Sequence, residues 1–183
     1  LTPDIILAQQ FDAASNRTRL AATIGENLDF QNTYVYDNLN RLTQVKQEAQ
    51  PGGEMGMPPY ANAVAEKRVD FTYFADGQFN TITRYADLTT NERVAVQKHD
   101  YDGIGRLKRL VHSTDTTALP SGTGFGTNVL GGYEYTYDAA SRITSINSST
   151  DGTSNFSYDI TDQLTGNSNP SESYSYDANG NRN

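Results

Sequence analysis

The chain has 183 residues, enough for a domain with its own core, and a net charge of -8 spread along its length. That acidic balance argues against nucleic acid as a partner and against an anionic membrane. No apolar run reaches the roughly 18–20 residues needed to cross a bilayer, so no membrane insertion is expected. The absence of cysteine removes disulfides, thiolate catalysis and Cys-containing zinc sites. Twelve Tyr and seven Phe supply much of the apolar content at a mean hydropathy of -0.66, a composition that suits sheets more than helices.

One short pattern recurs seven times along the chain. Its leading aromatics are Phe11, Tyr36, Tyr73, Tyr101, Tyr137, Tyr158 and Tyr176. Asp follows in every copy but the third: Asp12, Asp37, Asp102, Asp138, Asp159 and Asp177, with Phe74 in the exception. Four positions after each aromatic stands a small or turn-forming residue, namely Ser15, Asn40, Gly77, Gly105, Ser141, Asp162 and Gly180. Such residues tolerate a left-handed backbone or hydrogen-bond locally. Next comes Arg or Gln with an apolar residue behind it: Arg41-Leu42, Gln78-Phe79, Arg106-Leu107, Arg142-Ile143 and Gln163-Leu164. The first and last copies read as carrying one extra residue before Arg17 and Arg182. Each copy is expected to form strand, turn and strand, with the Asp accepting backbone N–H groups as the chain enters the turn. An Asp–Arg pair four residues apart would close the turn; as an exposed ion pair it adds little stability, and its value lies in fixing register.

The start, Leu1-Thr2-Pro3-Asp4, has neither an initiating Met nor a signal-peptide pattern and reads as the interior of a longer protein. Tyr34 precedes Tyr36 by two residues, which places both rings on one face of a strand. An insertion loop is expected near 46–65, where Pro and Gly crowd 50–59, and a short helix over 61–68. Phe71 and Tyr73 repeat the two-residue spacing, and His99 takes the same place before Tyr101. A second insertion loop is expected near 112–132, and its glycine-rich stretch 122–126, lacking any phosphate-loop ending, reads as flexible. Tyr133, Tyr135 and Tyr137 alternate with polar residues and give the strongest strand signal in the chain. Pairs Phe156/Tyr158 and Tyr174/Tyr176 follow, and the sixth copy is degenerate, with Asn167 in place of an apolar residue. Successive leading aromatics lie 25, 37, 28, 36, 21 and 18 residues apart, so the unit is about 20 residues with insertions. No linker divides the chain, and residues 1–183 are expected to form a single repeat array.

Three copies carry a family likeness. Tyr36-Asp37-Asn38-Leu39-Asn40-Arg41-Leu42, Tyr101-Asp102-Gly103-Ile104-Gly105-Arg106-Leu107 and Tyr176-Asp177-Ala178-Asn179-Gly180-Asn181-Arg182 closely resemble the YD/RHS repeat. Members of that family include bacterial RHS and wall-associated polymorphic toxins, the C components of insecticidal toxin complexes, and animal teneurins. The resemblance implies an all-β, twisted and curved sheet of consecutive antiparallel hairpins, a segment of a β-shell that in the toxins encloses a C-terminal effector. It implies a secreted or cell-surface setting, with the rest of the shell and the effector as partners. The shells close with a region containing an aspartyl self-cleavage site; nothing here resembles it, so no autoproteolytic residue is carried over. A hairpin of this size is not stable alone and needs neighbours, so an excised array is expected to self-associate through its edge strands.

The repeated Asp residues resemble the paired acids of glycosidases only in type; recurring at one place in each repeat, they read as turn residues, and no enzyme activity is expected. Asp177 to Asn181 lacks the closing Glu and correctly placed Gly of a calcium loop. His99 and His112 are the only histidines, which excludes a multi-histidine metal centre, and neither a metal nor a cofactor is expected. Asn16, Asn147 and Asn155 head glycosylation-type triplets that Asn-rich turns produce by chance. The Tyr rows offer the alternative to a purely structural reading, a carbohydrate-binding surface with Tyr133, Tyr135 and Tyr137 stacking on sugar rings.

Overall fold

The computed structural model describes residues 4–25, 27–48, 65–89 and 92–183. These residues form strands and turns without a helix, and the strand order in the sheet is the chain order. The chain divides into two compact units, 1–96 and 97–183. The first holds β1 (Ile5–Phe11), β2 (Arg17–Ile24), β3 (Asn27–Tyr36), β4 (Leu42–Glu48), β5 (Lys67–Tyr73) and β6 (Phe79–Tyr85). Strand β7 (Arg93–Tyr101) carries the division. The second unit continues with β8 (Leu107–Ser113), β9 (Val129–Tyr137), β10 (Ile143–Ser148), β11 (Gly152–Tyr158), β12 (Leu164–Ser168) and β13 (Ser171–Ser173).

Within the first unit each strand pairs antiparallel with the next, from β1 through β6, and within the second the same holds from β8 through β13. Six of the seven leading aromatics end a strand, at Phe11, Tyr36, Tyr73, Tyr101, Tyr137 and Tyr158, and Tyr176 forms a bridge with Arg182. Tyr36 lies opposite Leu42, Tyr73 opposite Phe79, Tyr137 opposite Ile143 and Tyr158 opposite Leu164, each beside a register shift. An extra residue on one strand, placed next to a residue with positive φ, is the bulged hairpin in which a type I turn is followed by a left-handed residue.

Part of the expected loop at 46–65 is strand, since Lys46 to Glu48 complete β4; residues 49–64 lie outside the described residues. The expected helix over 61–68 is not formed in its described part. Lys67 and Arg68 open β5, and their Cα partners Gln47 and Lys46 on β4 supply the ladder that overrides local helix preference. The expected loop at 112–132 is shorter than its sequence suggests: His112 and Ser113 finish β8, residues 129–132 begin β9, and the connection is 114–128.

Few apolar side chains are fully enclosed. Ala21, Ala22, Val96 and Val111 are the buried hydrophobic residues described, while Ile5, Ile6, Leu7 and Phe11 on β1 are exposed. Among the described residues no helix covers a face, and the strands depend on ladder hydrogen bonds and cross-strand side-chain pairs. Val111, fully buried on β8 opposite Gly132, is the position where packing matters most. Val111→Ala is expected to lower unfolding free energy by about 2 kcal/mol. Val94→Ala, at a side chain 54% exposed, is expected to change it by less than about 0.5 kcal/mol. Urea unfolding of the two variants checks this contrast.

Candidate functional site

All seven turns share one backbone plan. The amide of the residue after the leading aromatic donates to the carbonyl four residues on, as in Asp37 N to Arg41 O at 2.9 Å, and the amide of the small residue donates back, as in Asn40 N to Asp37 O at 3.0 Å. The third copy does the same through Phe74, Gln78 and Gly77. The small residue has positive φ every time: Ser15, Asn40, Gly77, Gly105, Ser141, Asp162 and Gly180. In six copies the Asp carboxylate completes the turn. Asp37 Oδ1 accepts from the amides of Leu39 and Arg41 at 2.9 and 3.0 Å. Asp12, Asp102, Asp138, Asp159 and Asp177 each accept the corresponding two amides. In the third copy Asp76 holds one amide, that of Gln78, at 3.1 Å.

In five of these six copies the second carboxylate oxygen takes the side chain four residues later. Arg41, Arg106 and Arg142 donate through Nε to Asp37, Asp102 and Asp138 at 2.7, 2.6 and 2.7 Å. The extra residue expected in the first and last copies is not an insertion. Asn16 and Asn181 occupy the Arg position and donate through Nδ2 to Asp12 and Asp177, both at 3.0 Å, while Arg182 moves on to bridge Tyr176. The turn tolerates Asn because what it needs there is an N–H donor rather than a charge.

The Arg also reaches the next hairpin of its own unit. Its Nη1 donates to a turn carbonyl: Arg41 to Phe74 at 3.3 Å, Arg106 to Asp138 at 3.1 Å and Arg142 to Asp159 at 3.3 Å. The guanidinium lies over that hairpin's leading ring, with Arg41 4.7 Å from Tyr73, Arg106 4.5 Å from Tyr137 and Arg142 4.8 Å from Tyr158. The phenol returns the contact to a main-chain carbonyl of the preceding hairpin. Tyr36 donates to Arg17 O, Tyr73 to Leu42 O, Tyr137 to Leu107 O, Tyr158 to Ile143 O and Tyr176 to Leu164 O, at 2.7–3.0 Å. Tyr101, the remaining leading Tyr, is half-buried and its ring stacks with that of His99. Arg, Asp and Tyr thus make a joint between neighbouring hairpins at three places, Arg41 to Tyr73 in the first unit and Arg106 to Tyr137 and Arg142 to Tyr158 in the second.

These contacts set the electrostatics of the turns. The Arg41 amide, more than its side chain, holds the Asp37 carboxyl below its usual range. Around Asp102 burial pushes upward, but the Arg106 amide and guanidinium outweigh it and the result is again lowered. Asp138 is lowered chiefly by the Arg142 side chain, Asp159 by the Gln163 amide, and Asp12 and Asp177 by Asn16 and Asn181.

Of the three rings proposed for sugar stacking, Tyr133 is 38% exposed, Tyr135 is half-buried, and Tyr137 has one face occupied by Arg106. The Asp177 carboxylate is taken up by Asn179 and Asn181 of its own turn. Asn16 Nδ2, heading one glycosylation-type triplet, is held by Asp12 and by Asn40. His99 lies beside Gln97, with Nε2 atoms 3.0 Å apart. Among the described residues no group of three or more His, Asp or Glu converges.

One set of residues was invisible in the sequence. Lys98 and Arg109 are 6% and 3% exposed. Arg109 is paired with Asp100 at 2.6 Å, and Lys98 with Asp115 at 3.0 Å. Both also bind the 114–128 connection, which is therefore seated against the strands and not the free loop its glycines suggested. The signal available was the two-residue spacing of Lys98 from Val96 and of Arg109 from Val111, which puts each charge on the same face as a buried valine; what covers that face is not written in the strand.

No family model matches the chain, and no curated protein matches it. Among solved structures, the crystal structure of TcdB2-TccC3 matches 96% of this chain at 16% identity with a TM-score of 0.64. That of TcdB2-TccC3-Cdc42 matches 97% at 14% identity with a TM-score of 0.50. The chain spans 9% and 11% of those two chains. Its fold, all-β with consecutive antiparallel strands, resembles a part of TcdB2-TccC3.

Two outcomes follow for the joint. Because the turn carboxylates are lowered from an ordinary value of 3.8, their stabilisation is complete above that value and is lost as pH falls through the lowered ones. The urea midpoint is expected to be level between about pH 5 and 7 and to fall steadily below pH 4; a midpoint that rises on acidification contradicts it. Tyr137→Phe, which removes the bond to Leu107 O, is expected to cost about 1 kcal/mol, whereas Tyr133→Phe leaves urea stability unchanged.

Proposed function

We propose that this chain is a non-catalytic wall segment of a larger YD/RHS-repeat shell, acting by shape to enclose or display an effector in a secreted or cell-surface protein. The observation that carries the reading is the joint. The same Tyr-to-carbonyl and Arg-to-ring contacts recur between hairpins, and a repeat whose recurring chemistry is spent on its neighbour is built for extension of a sheet. The fold likeness to a part of TcdB2-TccC3 supports it. The repeat-defining residues, Tyr36, Asp37, Arg41, Tyr101, Asp102, Gly105, Arg106, Tyr137, Asp138, Arg142, Tyr158, Asp159, Tyr176, Asp177 and Gly180, are then structural. The remainder of the shell and its enclosed effector are the partners.

A wall segment presents sheet edges that continue elsewhere. Strand β1 is such an edge, with Ile5, Ile6 and Leu7 at 70%, 58% and 62% exposure and no charge among its seven residues. Size-exclusion chromatography with light scattering is expected to show concentration-dependent association of the isolated chain, reduced by the double substitution Ile6→Lys and Leu7→Lys, with no signal on a glycan array. A strict monomer that binds a defined sugar would replace this reading with a carbohydrate-binding one centred on Tyr133.

A further inference from the structure

We infer that strands β8 and β9, with Lys98 of β7, form a binding seat for a bent, glycine-turned peptide backbone, which this chain fills with its own segment 114–128. The contacts from the seat go to main-chain carbonyls. Arg109 Nη1 donates to Pro120 O and Gly124 O, both at 2.9 Å. Lys98 Nζ donates to Thr117 O at 2.6 Å, Lys108 Nζ to Gly122 O at 2.8 Å and Ser113 Oγ to Thr127 O at 3.1 Å. Four side chains thus hold five carbonyls and read the backbone of the segment rather than its side chains.

Two contacts supply selectivity. Phe125 lies over Gly132, where a Cβ would stand 2.6 Å from the ring, so the absence of a side chain makes the slot for an aromatic. Asp115 pairs with Lys98. The seat belongs to the scaffold: Arg109 and Val111 lie opposite Glu134 and Gly132 in the regular ladder of β8 and β9. Burial of two cations there is costly unless each is matched by acceptors, and the carbonyls of 114–128 supply part of that match. The ligand class is therefore a short peptide of small residues around one aromatic, as in Pro120-Ser121-Gly122-Thr123-Gly124-Phe125-Gly126. The tethered segment outcompetes a free copy because its effective concentration is on the order of millimolar.

The test uses the full chain carrying Phe125→Ala and a fluorescent synthetic peptide with the sequence of 114–128. In F125A a non-specific protease is expected to nick 114–128 at least tenfold faster than in the unmodified chain. By fluorescence anisotropy the peptide is expected to bind F125A saturably, to show no binding to the unmodified chain, and to lose at least tenfold in affinity for the double variant F125A with Gly132→Val. If F125A loses its sheet circular dichroism, Phe125→Leu takes its place. Equal protection of 114–128 in the variant, failure of the peptide to bind it, or binding indifferent to Gly132→Val each overturns the inference.

Discussion

A tight bulged hairpin of this type reverses its chain through one residue that accepts a left-handed backbone, and in this protein every leading aromatic is followed at a fixed distance by such a residue. What holds the reversal in place is a carboxylate. One oxygen of the turn Asp takes two amides that the reversal would leave without partners, and its other oxygen takes the side chain four residues on. The third copy shows how much of this is the backbone's own doing. With Phe74 in place of Asp, and Gly77 at the left-handed position, the two main-chain bonds still form. Glycine removes the steric cost that Ser or Asn would carry there.

The turn does more than reverse the chain, because it aims the Arg. Once Nε is fixed on its own Asp, the plane of the guanidinium is set, and Nη1 and the ring-facing surface are delivered to the following hairpin. The Tyr of that hairpin closes the contact through its phenol. The pairing of charges contributes little by itself; its effect is that, where the Arg is present, a hairpin specifies where the next one of its unit sits. In a sheet with so few enclosed apolar side chains, neighbour-to-neighbour contacts of this kind take the part a core plays in a layered domain.

The 114–128 segment follows a different logic. Glycines and a proline mark it as a connection, yet cations from the strands beneath hold its carbonyls, and a missing side chain at Gly132 makes room for its one aromatic. An insertion into a repeat array would otherwise leave a stretch of unsatisfied main chain above the sheet. Here the strands underneath present Lys98, Lys108 and Arg109, which satisfy part of it.

The sequence by itself determined the hairpins, their number, the left-handed residue in each, the acceptor role of the Asp and the all-β class, because each of these depends on residues within a few positions of one another. It misread Asn16 and Asn181 as marking insertions, because a donor's equivalence to Arg appears only once the carboxylate it serves is placed. It also took Lys67 and Arg68 for helix, since the partner strand that claims them is separated by the whole 49–66 stretch. Only the tertiary structure decided which Arg meets which Tyr, which ring of the Tyr133, Tyr135 and Tyr137 row stays open, and that Lys98 and Arg109 are buried. Those outcomes depend on contacts between strands and across an insertion, where alternation along one strand gives the face of a side chain but not what lies above it.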